Sequence, residues 1–423
     1  MGDKVIRYID LFAGMGGIRI GLEQALEEKG FKGECVLTSE IKPSAMKVYE
    51  DNFGKTEFHD IIELKTEDIP DFDILLAGFS CQPFSFAGKR LGFEDKTRGT
   101  LFFEIARILK DKQPQAFLLE NVEGLVKHDM SKEDRKMGKE IGRTLEVILD
   151  TLEEIGYKVS WKVLQASDFG VAQIRRRIYI VGTLDKEVDL DITSEYPTIV
   201  FKDIQEHNLE TLSTPFTKAV DKFLKDKGLG YEFLYDKAIR DKRGSSNNIH
   251  SWTLGLRGSV TDKQHDFLEE MVTQRRKKES AVNKGRPIKD GLGLTIEEIR
   301  TFSDISIEEL EDLVDKKYLK FEILDNKWAI YDINGGKLSF EFAKILDPNK
   351  VSLTLVATDA LKMAVVDNNG LRRLTLREGL RLNGFPEWYK LDIEYRKGFD
   401  LLGNTVVVPV IKEISKKILD SIS

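Results

Sequence analysis

Over its first 185 residues the chain alternates between two hydrophobic patterns. VIRYIDLFAG, GECVLTSE, DFDILLAGF, QAFLLEN and RIYIVGT are short apolar runs that read as buried strands. Between them, GGIRIGLEQALEEKG, PSAMKVYEDNFG and TLFFEIARILKDK read as amphipathic helices, with Gly30 and Gly54 as stops. In IGRTLEVILDTLEEIGY the apolar positions Ile141, Leu145, Ile148, Leu149, Leu152 and Ile155 recur at helical spacing. Repeated β-α units predict an α/β fold, an open and mostly parallel sheet with helices on both faces. Ligands bind such sheets beyond the carboxyl ends of the strands, so the residues just after each strand carry the functional interest.

From about Tyr196 to Gly370 the alternation stops. QRRKKESAVNKGRP is basic, and between Thr217 and Asp290 there are 17 Lys and Arg against 11 Asp and Glu, within a chain of net charge −7. The local excess fits either a nucleic-acid face or a solvated basic surface. TIEEIRTFSDISIEELEDLVDKKYLKFEILDNKWAIYD, near 293–332, reads as two short helices and a hairpin, much like a winged-helix unit. Such units serve DNA binding in some proteins and protein contacts in others. The closing NTVVVPVIKEISKKILDSIS reads as an apolar helix that needs a core, which predicts that the chain returns to its first domain.

Two cysteines among 423 residues, Cys35 and Cys81, exclude a disulfide framework and a Cys-rich zinc site. No metal site is expected. The N-terminus lacks the layout of a signal peptide and no apolar run has membrane-crossing length, so a cytoplasmic location is expected, with no membrane partner.

The strand ends supply the chemistry. After the first strand, DLFAGMGG brings Gly14, Gly16 and Gly17 to a helix start, where backbone can approach a ligand closely. The dinucleotide pattern fails because Arg19 stands at its third glycine, so no pyrophosphate is indicated. Glu40 follows the second strand, at a ribose-binding position. Asp60 and Ile61 could meet an adenine by hydrogen bond and apolar contact. These features fit either an adenosine cofactor without phosphates or a tight turn with two solvated acids. Cys81 follows the third strand, in GFSCQPFSFAG, whereas Cys35 reads as a small buried hydrophobe. Glu120 ends the next strand in ENV, and a carboxylate there is costly unless something uses it. Arg175 and Arg177 lie two apart on one side of an extended segment, either as a solvated edge or as partners of the acid and thiol.

In this order the segments DLFAGMGG, GFSCQPFS, ENVEGL, QIRRRIYIVG, RRLTLREGLRLNGFP and LLGNTVVVPVI resemble the motifs of the DNA cytosine-5 methyltransferases, especially the bacterial enzymes of restriction–modification systems. The resemblance spans nearly the whole chain. It implies a Rossmann-like S-adenosylmethionine-dependent methyltransferase fold at 1–190 and a second, irregular α+β target-recognition domain at 196–370. A hinge at 371–400 and a returning helix at 401–423 complete this division. It further implies Cys81 as nucleophile toward C6 of a flipped-out cytosine, Glu120 at N3 and the exocyclic amine, Arg177 at O2, and Arg175 supporting the loop. Motif alignment assigns the cofactor to Phe12, Gly14, Met15, Gly17, Glu40, Ile41, Asp60, Ile61, Ser80, Leu101, Asn404, Thr405 and Val406. Gln82, Ser85, Lys89, Arg90 and Arg98 would meet DNA from a mobile loop. Arg243 and Arg257 are candidates for reading guanine, as are Arg275 and Arg276, because arginine pairs bidentately with that base. The implied partners are duplex DNA with a specific site and a cognate restriction endonuclease, with the chain itself a monomer. One departure stands at Ser80, where the family usually has proline, which leaves the loop less constrained.

An RNA cytosine-5 methyltransferase is the rival among enzymes, but Cys35 does not fit the motif of the two-cysteine class and the CFT motif of the tRNA enzymes is absent. A non-catalytic DNA-binding relative is the other rival. Intact Cys81, Glu120 and Arg177 argue against it.

Overall fold

The computed structural model describes residues 4–79, 101–192, 196–242, 247–277, 293–324, 328–335 and 340–422. The chain divides into two compact units, one of residues 1–204, 349–357 and 376–423, the other of residues 205–348 and 358–375.

The first unit is built on a seven-stranded sheet. Its elements are β1 (Val5–Leu11), α1 (Gly17–Glu28), β2 (Lys32–Ser39), α2 (Pro43–Phe53), β3 (Phe58–His59), β4 (Ile74–Gly78), α3 (Leu101–Lys112), β5 (Ala116–Val122), a short α4 (Lys132–Lys136), α5 (Arg143–Ile155), β6 (Lys158–Gln165) and β7 (Arg176–Thr183). The strand order is β3-β2-β1-β4-β5-β7-β6. The first five strands of that order run parallel, while β7 is antiparallel to both β5 and β6.

Side chains alternate across each strand and so feed two cores. Ile6, Tyr8, Ile74, Leu76 and Leu118 face one side with Leu22 and Leu26 of α1. Ile9, Leu75, Ala77, Phe117 and Leu119 face the other with Ile105 and Leu109 of α3 and Leu145, Ile148 and Leu152 of α5. Each fully buried Leu, Ile or Phe side chain among them contributes roughly 1.5–3 kcal/mol.

The sheet is richer than the hydrophobic pattern predicted. The pattern of apolar runs does not reveal β3, which has two residues, or β6, whose Lys158, Ser160 and Lys162 interrupt its apolar positions. Such alternation marks an edge strand, and β6 does lie at the edge of the sheet. The closing helix, Val408–Ile422, begins only after Thr405, which is extended at φ −82° and ψ 170°. Pro409 then fits its first turn. Ile411, Ile414 and Ile418 join the first core, and Gly21 of α1 lets the helix approach closely: a Cβ there would lie 2.6 Å from Ile411 Cβ.

The second unit contains α6 (Pro215–Lys227), β8 (Ala238–Ile239), β9 (Asn248–Ile249), α7 (Asp262–Gln274), β10 (Leu319–Leu324), β11 (Trp328–Ile333), β12 (Lys344–Ile345), β13 (Met363–Asp367) and β14 (Gly370–Arg373). A five-stranded sheet of order β14-β13-β12-β8-β9 packs Ile239, Ile345 and Leu371 against Val220 and Leu224 of α6. A separate core joins α7, the helices Ile296–Ile299 and Ile307–Asp315, and the antiparallel β10–β11 hairpin around Trp252, Leu268, Leu313 and Tyr318. Thr261, Thr295 and Ser306 cap those three helices with reciprocal side-chain bonds to the third residue on.

Candidate active site

Strand pairing brings an acid and a guanidinium together. Glu120 lies within β5 rather than just beyond it, opposite Gly78 of β4 on one side and Tyr179 of β7 on the other. Arg177 enters β7 opposite Val122. Its Nε is 3.0 Å from Glu120 Oε1, with the two side chains 16% and 11% exposed. Burial pushes the Glu120 carboxyl above the usual carboxylate range, and Arg177, then Arg175, pull it only partly back. A Cβ at Gly78 would make only ordinary contact with Glu120 Oε2, at 3.6 Å.

Asn121 was not foreseen. It is buried, and its Nδ2 donates to the carbonyl of Phe79 at 3.0 Å, while the N–H of Val122 donates to its Oδ1 at 2.8 Å. It thus ties the chain leaving β4 to the strand that carries Glu120. A buried amide with both ends satisfied rigidifies its surroundings.

The three arginines of QIRRRIYIVG divide their work. Arg177 meets Glu120, Arg176 meets Glu123 at 3.0 Å, and Arg175 turns inward. Only 2% exposed, Arg175 donates to the carbonyls of Leu355, Gly403 and Thr405 at 3.1, 3.0 and 2.6 Å. Two-residue spacing predicted a shared rim for Arg175 and Arg177. The structure separates their contacts because Arg175 precedes β7, where strand alternation does not apply.

A turn of left-handed backbone follows β1. Phe12, Gly14 and Gly16 have φ of 54°, 55° and 75°. The Gly14 N–H donates to Glu40 Oε2 at 2.8 Å, and the N–H groups of Ile41 and Lys42 donate to Oε1 at 2.9 and 2.8 Å. Glu40 therefore locks the glycine turn to the end of β2, and of about four lone-pair positions on its carboxylate roughly one is left for a hydroxyl. Gly17 opens α1 against the turn at 405–406, where a Cβ would meet Val406 Cγ2 at 2.9 Å and Thr405 Oγ1 at 3.0 Å. Tyr389, another unforeseen residue, donates its hydroxyl to the Met15 carbonyl at 2.5 Å.

Other assignments fare unevenly. Ile61, Met15 and Val406 are buried, and the Ile61 and Val406 side chains belong to the cores. The Ile61 side chain, expected to make an apolar contact with an adenine, packs in the second core. Ile41 is 69% exposed beside Glu40, an apolar surface left open at the strand end. Asp60 is half-buried and accepts from the N–H of Ile62 at 2.9 Å. Leu101 and Phe12 are partly buried against the second core. Asn404 is exposed and donates to the Asp400 carbonyl at 2.7 Å. Ser80, Cys81, Gln82, Ser85, Lys89, Arg90, Arg98 and Arg243 lie outside the described residues.

In the second unit two guanine-reading candidates have internal partners. Arg257 Nη1 donates to the carbonyls of Lys317 and Asn334. Arg275 is buried, 2.6 Å from Asp332, and is corrected to a core ion pair. Arg276 is exposed.

Beneath the glycine turn lies a buried polar network. Asp10 is fully buried; Tyr49 donates to its Oδ2 at 3.3 Å, and Oδ1 has no partner. Arg19 donates to the Tyr49 hydroxyl at 3.1 Å and stacks 4.1 Å from the Phe53 ring. Cys35, partly buried, has its Sγ 3.5 Å from Thr38 Oγ1.

The set fits a particular kind of cofactor. Gly16 and Gly17 let Phe53 and the turn at 405–406 pack directly on the backbone of the glycine turn, and the carboxylates of Glu40 and Asp60 disfavour phosphate while suiting hydroxyls, an amine or a cationic centre. Among the described residues no group of three or more His, Cys, Asp or Glu could hold a metal, and no helix is long and apolar enough to cross a membrane.

Comparison with known proteins agrees with this geometry. A family model described as C-5 cytosine-specific DNA methylase matches residues 6–420. The Type II methyltransferase M.NlaIV of Neisseria lactamica is 50% identical over 99% of both chains. M.BanI of Aneurinibacillus aneurinilyticus, also a Type II methyltransferase, is 42% identical over 97% of this chain and 94% of its own. A solved structure titled as a putative DNA modification methyltransferase encoded within a prophage of E. coli shares the fold, with a TM-score of 0.52, 20% identity, and 98% and 99% of the two chains covered. The chain belongs to the C-5 cytosine-specific DNA methylase family.

Proposed function

We propose that this chain methylates C5 of a cytosine rotated out of a specific site in duplex DNA, as the modification enzyme of a Type II restriction–modification pair. Cys81 is the nucleophile and Glu120 and Arg177 hold the base. The observation that carries this reading is the buried pair of Glu120 and Arg177 on adjacent strands, beside the end of β4, which precedes Cys81 in sequence.

The chemistry follows from what the ring lacks. Carbon 5 of cytosine is a poor nucleophile within an aromatic ring. Addition of the Cys81 thiolate to C6 breaks the C5–C6 π bond and leaves an enamine whose C5 can take a methyl group; a soft, strong nucleophile suits that step. When bound, S-adenosylmethionine supplies that methyl group as an electrophile on a sulfonium. Loss of the C5 proton then re-forms the double bond and expels the thiolate. Glu120, held toward its protonated form, donates at N3 while charge builds on the ring, and Arg177 both orients Glu120 and meets O2. Glu40, Asp60, the Gly14–Gly17 turn and exposed Ile41 would hold the cofactor, the carboxylates toward its hydroxyls and amine. Rotating the cytosine out of the stack costs roughly a few kcal/mol, which the chain's contacts with DNA would repay.

Transfer of a labelled methyl group to duplex DNA but not to tRNA, with bisulfite sequencing placing it at one cytosine of one site, is the expected result. Cys81→Ala should abolish transfer, and 5-fluorocytosine in the site should trap the parent chain covalently. Undiminished transfer by Cys81→Ala, or methylation confined to tRNA, would overturn the reading.

A further inference from the structure

We infer that Arg175 is a positioning residue for the cofactor side of the site, clamping the 403–405 turn to the segment 355–357, and that it does not act on the base. The inference deepens the functional reading above and rests on its S-adenosylmethionine cofactor, to which the family motif assigns Asn404, Thr405 and Val406.

The first ground is where its hydrogen bonds go. Nη1 donates to Leu355, Nη2 donates to both Gly403 and Thr405, and buried Nε has no partner. A guanidinium is expensive to bury unless its donors are matched. Here every bond it makes is to the main chain of two segments far apart in sequence. The second ground is the fit of those segments to each other. A Cβ on Gly403 would lie 2.4 Å from the backbone nitrogen of Ala357, so the two chains touch main chain to main chain. The third is that the neighbouring strip is built for the same purpose. Gln173 is fully buried, accepts from the Leu355 N–H at 2.8 Å, and donates to the Leu382 carbonyl at 2.8 Å. The N–H of Ile174 donates to the Ser352 carbonyl at 2.8 Å, and that of Ser352 donates to the Ala172 carbonyl at 2.9 Å.

Thr405, held by Arg175, is the residue whose Oγ1 stands 3.0 Å from where a Cβ on Gly17 would be. Two residues beyond Arg175, Arg177 bonds Glu120. The strip 173–177 therefore sets the glycine cradle at one end and the base-holding pair at the other. Burial and the neighbouring Arg177 lower the Arg175 pKa to about 10, so it keeps its charge at neutral pH.

The test is S-adenosylmethionine binding by the full chain without DNA, measured calorimetrically for the parent, Arg175→Met, Arg175→Lys and Arg177→Met. Arg175→Met should weaken binding roughly tenfold or more, since about 1.4 kcal/mol, within the worth of one charged hydrogen bond, is a factor of ten. Arg175→Lys should recover part of the loss, and Arg177→Met should bind as the parent does. In turnover, Arg175→Lys should raise KM for the cofactor while kcat at saturation largely recovers; a merely structural role would lower kcat with the folded fraction and leave KM unmoved. Should Arg175→Met not fold, hydrogen exchange of Arg175→Lys decides instead, with faster exchange expected at both 355–357 and 403–406. Parent-like cofactor affinity and exchange in the Arg175 variants, with turnover lost, would overturn the inference. Failure of the parent to bind S-adenosylmethionine would instead overturn the functional reading beneath it.

Discussion

Arg177 Nε stands 3.0 Å from Glu120 Oε1 across two antiparallel strands, and neither side chain is more than 16% exposed. The pair sits where burial raises the carboxyl and the guanidinium lowers it, with burial the larger effect. Glu120 therefore keeps its proton to a higher pH than an ordinary glutamate.

Activity that needs protonated Glu120 should fall as pH rises through that raised value. Glu120→Gln, which keeps the shape and loses the titration, should be slower by about 10²–10⁴-fold and flat across that limb. Single-turnover rates against pH, with DNA and cofactor saturating, check this. A parallel slope in the variant would remove Glu120 from the proton transfer.

Asp10 gives a separate dependence on pH, in stability. Burial pushes it up to about 7, offset in part by Arg19 and by the Tyr49 hydrogen bond. Because its folded value lies above its unfolded one, the stability it lends is complete below about pH 4 and is lost as pH rises to about 7. Urea melts should show the parent losing roughly a few kcal/mol across that window. Asp10→Asn should lack that slope.

Gly16 and Gly30 both have φ of 75°, yet they differ in what surrounds them. A Cβ on Gly16 would lie 2.3 Å from Phe53 Cε2, while nothing stands within 4 Å of one on Gly30. Gly30→Ala should cost only the left-handed strain, roughly 1–2 kcal/mol, and leave cofactor binding unchanged. Gly16→Ala adds overpacking of about 1–3 kcal/mol and should weaken cofactor binding. Equal losses in the two melts would refute the steric argument.

In the second unit Arg275 and Asp332 are 4% and 10% exposed and 2.6 Å apart. Asp332→Ala should cost about 3–5 kcal/mol by stranding a buried cation. The double variant Arg275→Met with Asp332→Leu should recover much of that. Additive losses in chemical denaturation would show that the two do not act as a pair.

Much of the site was legible because strand ends announce themselves. Apolar runs ending in DLFAG, TSE, LLAG and LEN carry the residues proposed to hold a cofactor or a base, and the helices between them leave little choice but an α/β sheet. Asn121, Tyr389 and Gln173 were not legible. Their role is to join segments between 42 and 374 residues apart, and local pattern holds no record of such pairing.

The linear order of apolar and polar residues was enough to determine the strand–helix alternation and the glycine turn after β1, because each depends on neighbours within one or two turns of chain, while the reactive side chains were proposed from the motifs the chain shares with its family. Tertiary structure alone decided that β7 runs antiparallel and so delivers Arg177 to Glu120, that Arg175 turns to main-chain carbonyls while its neighbours meet carboxylates, and that Arg275 is a core ion pair. Hydrogen bonds and charges find their partners through space, and which partner a long cationic side chain reaches is settled only when distant segments pack and desolvation leaves it one place to go.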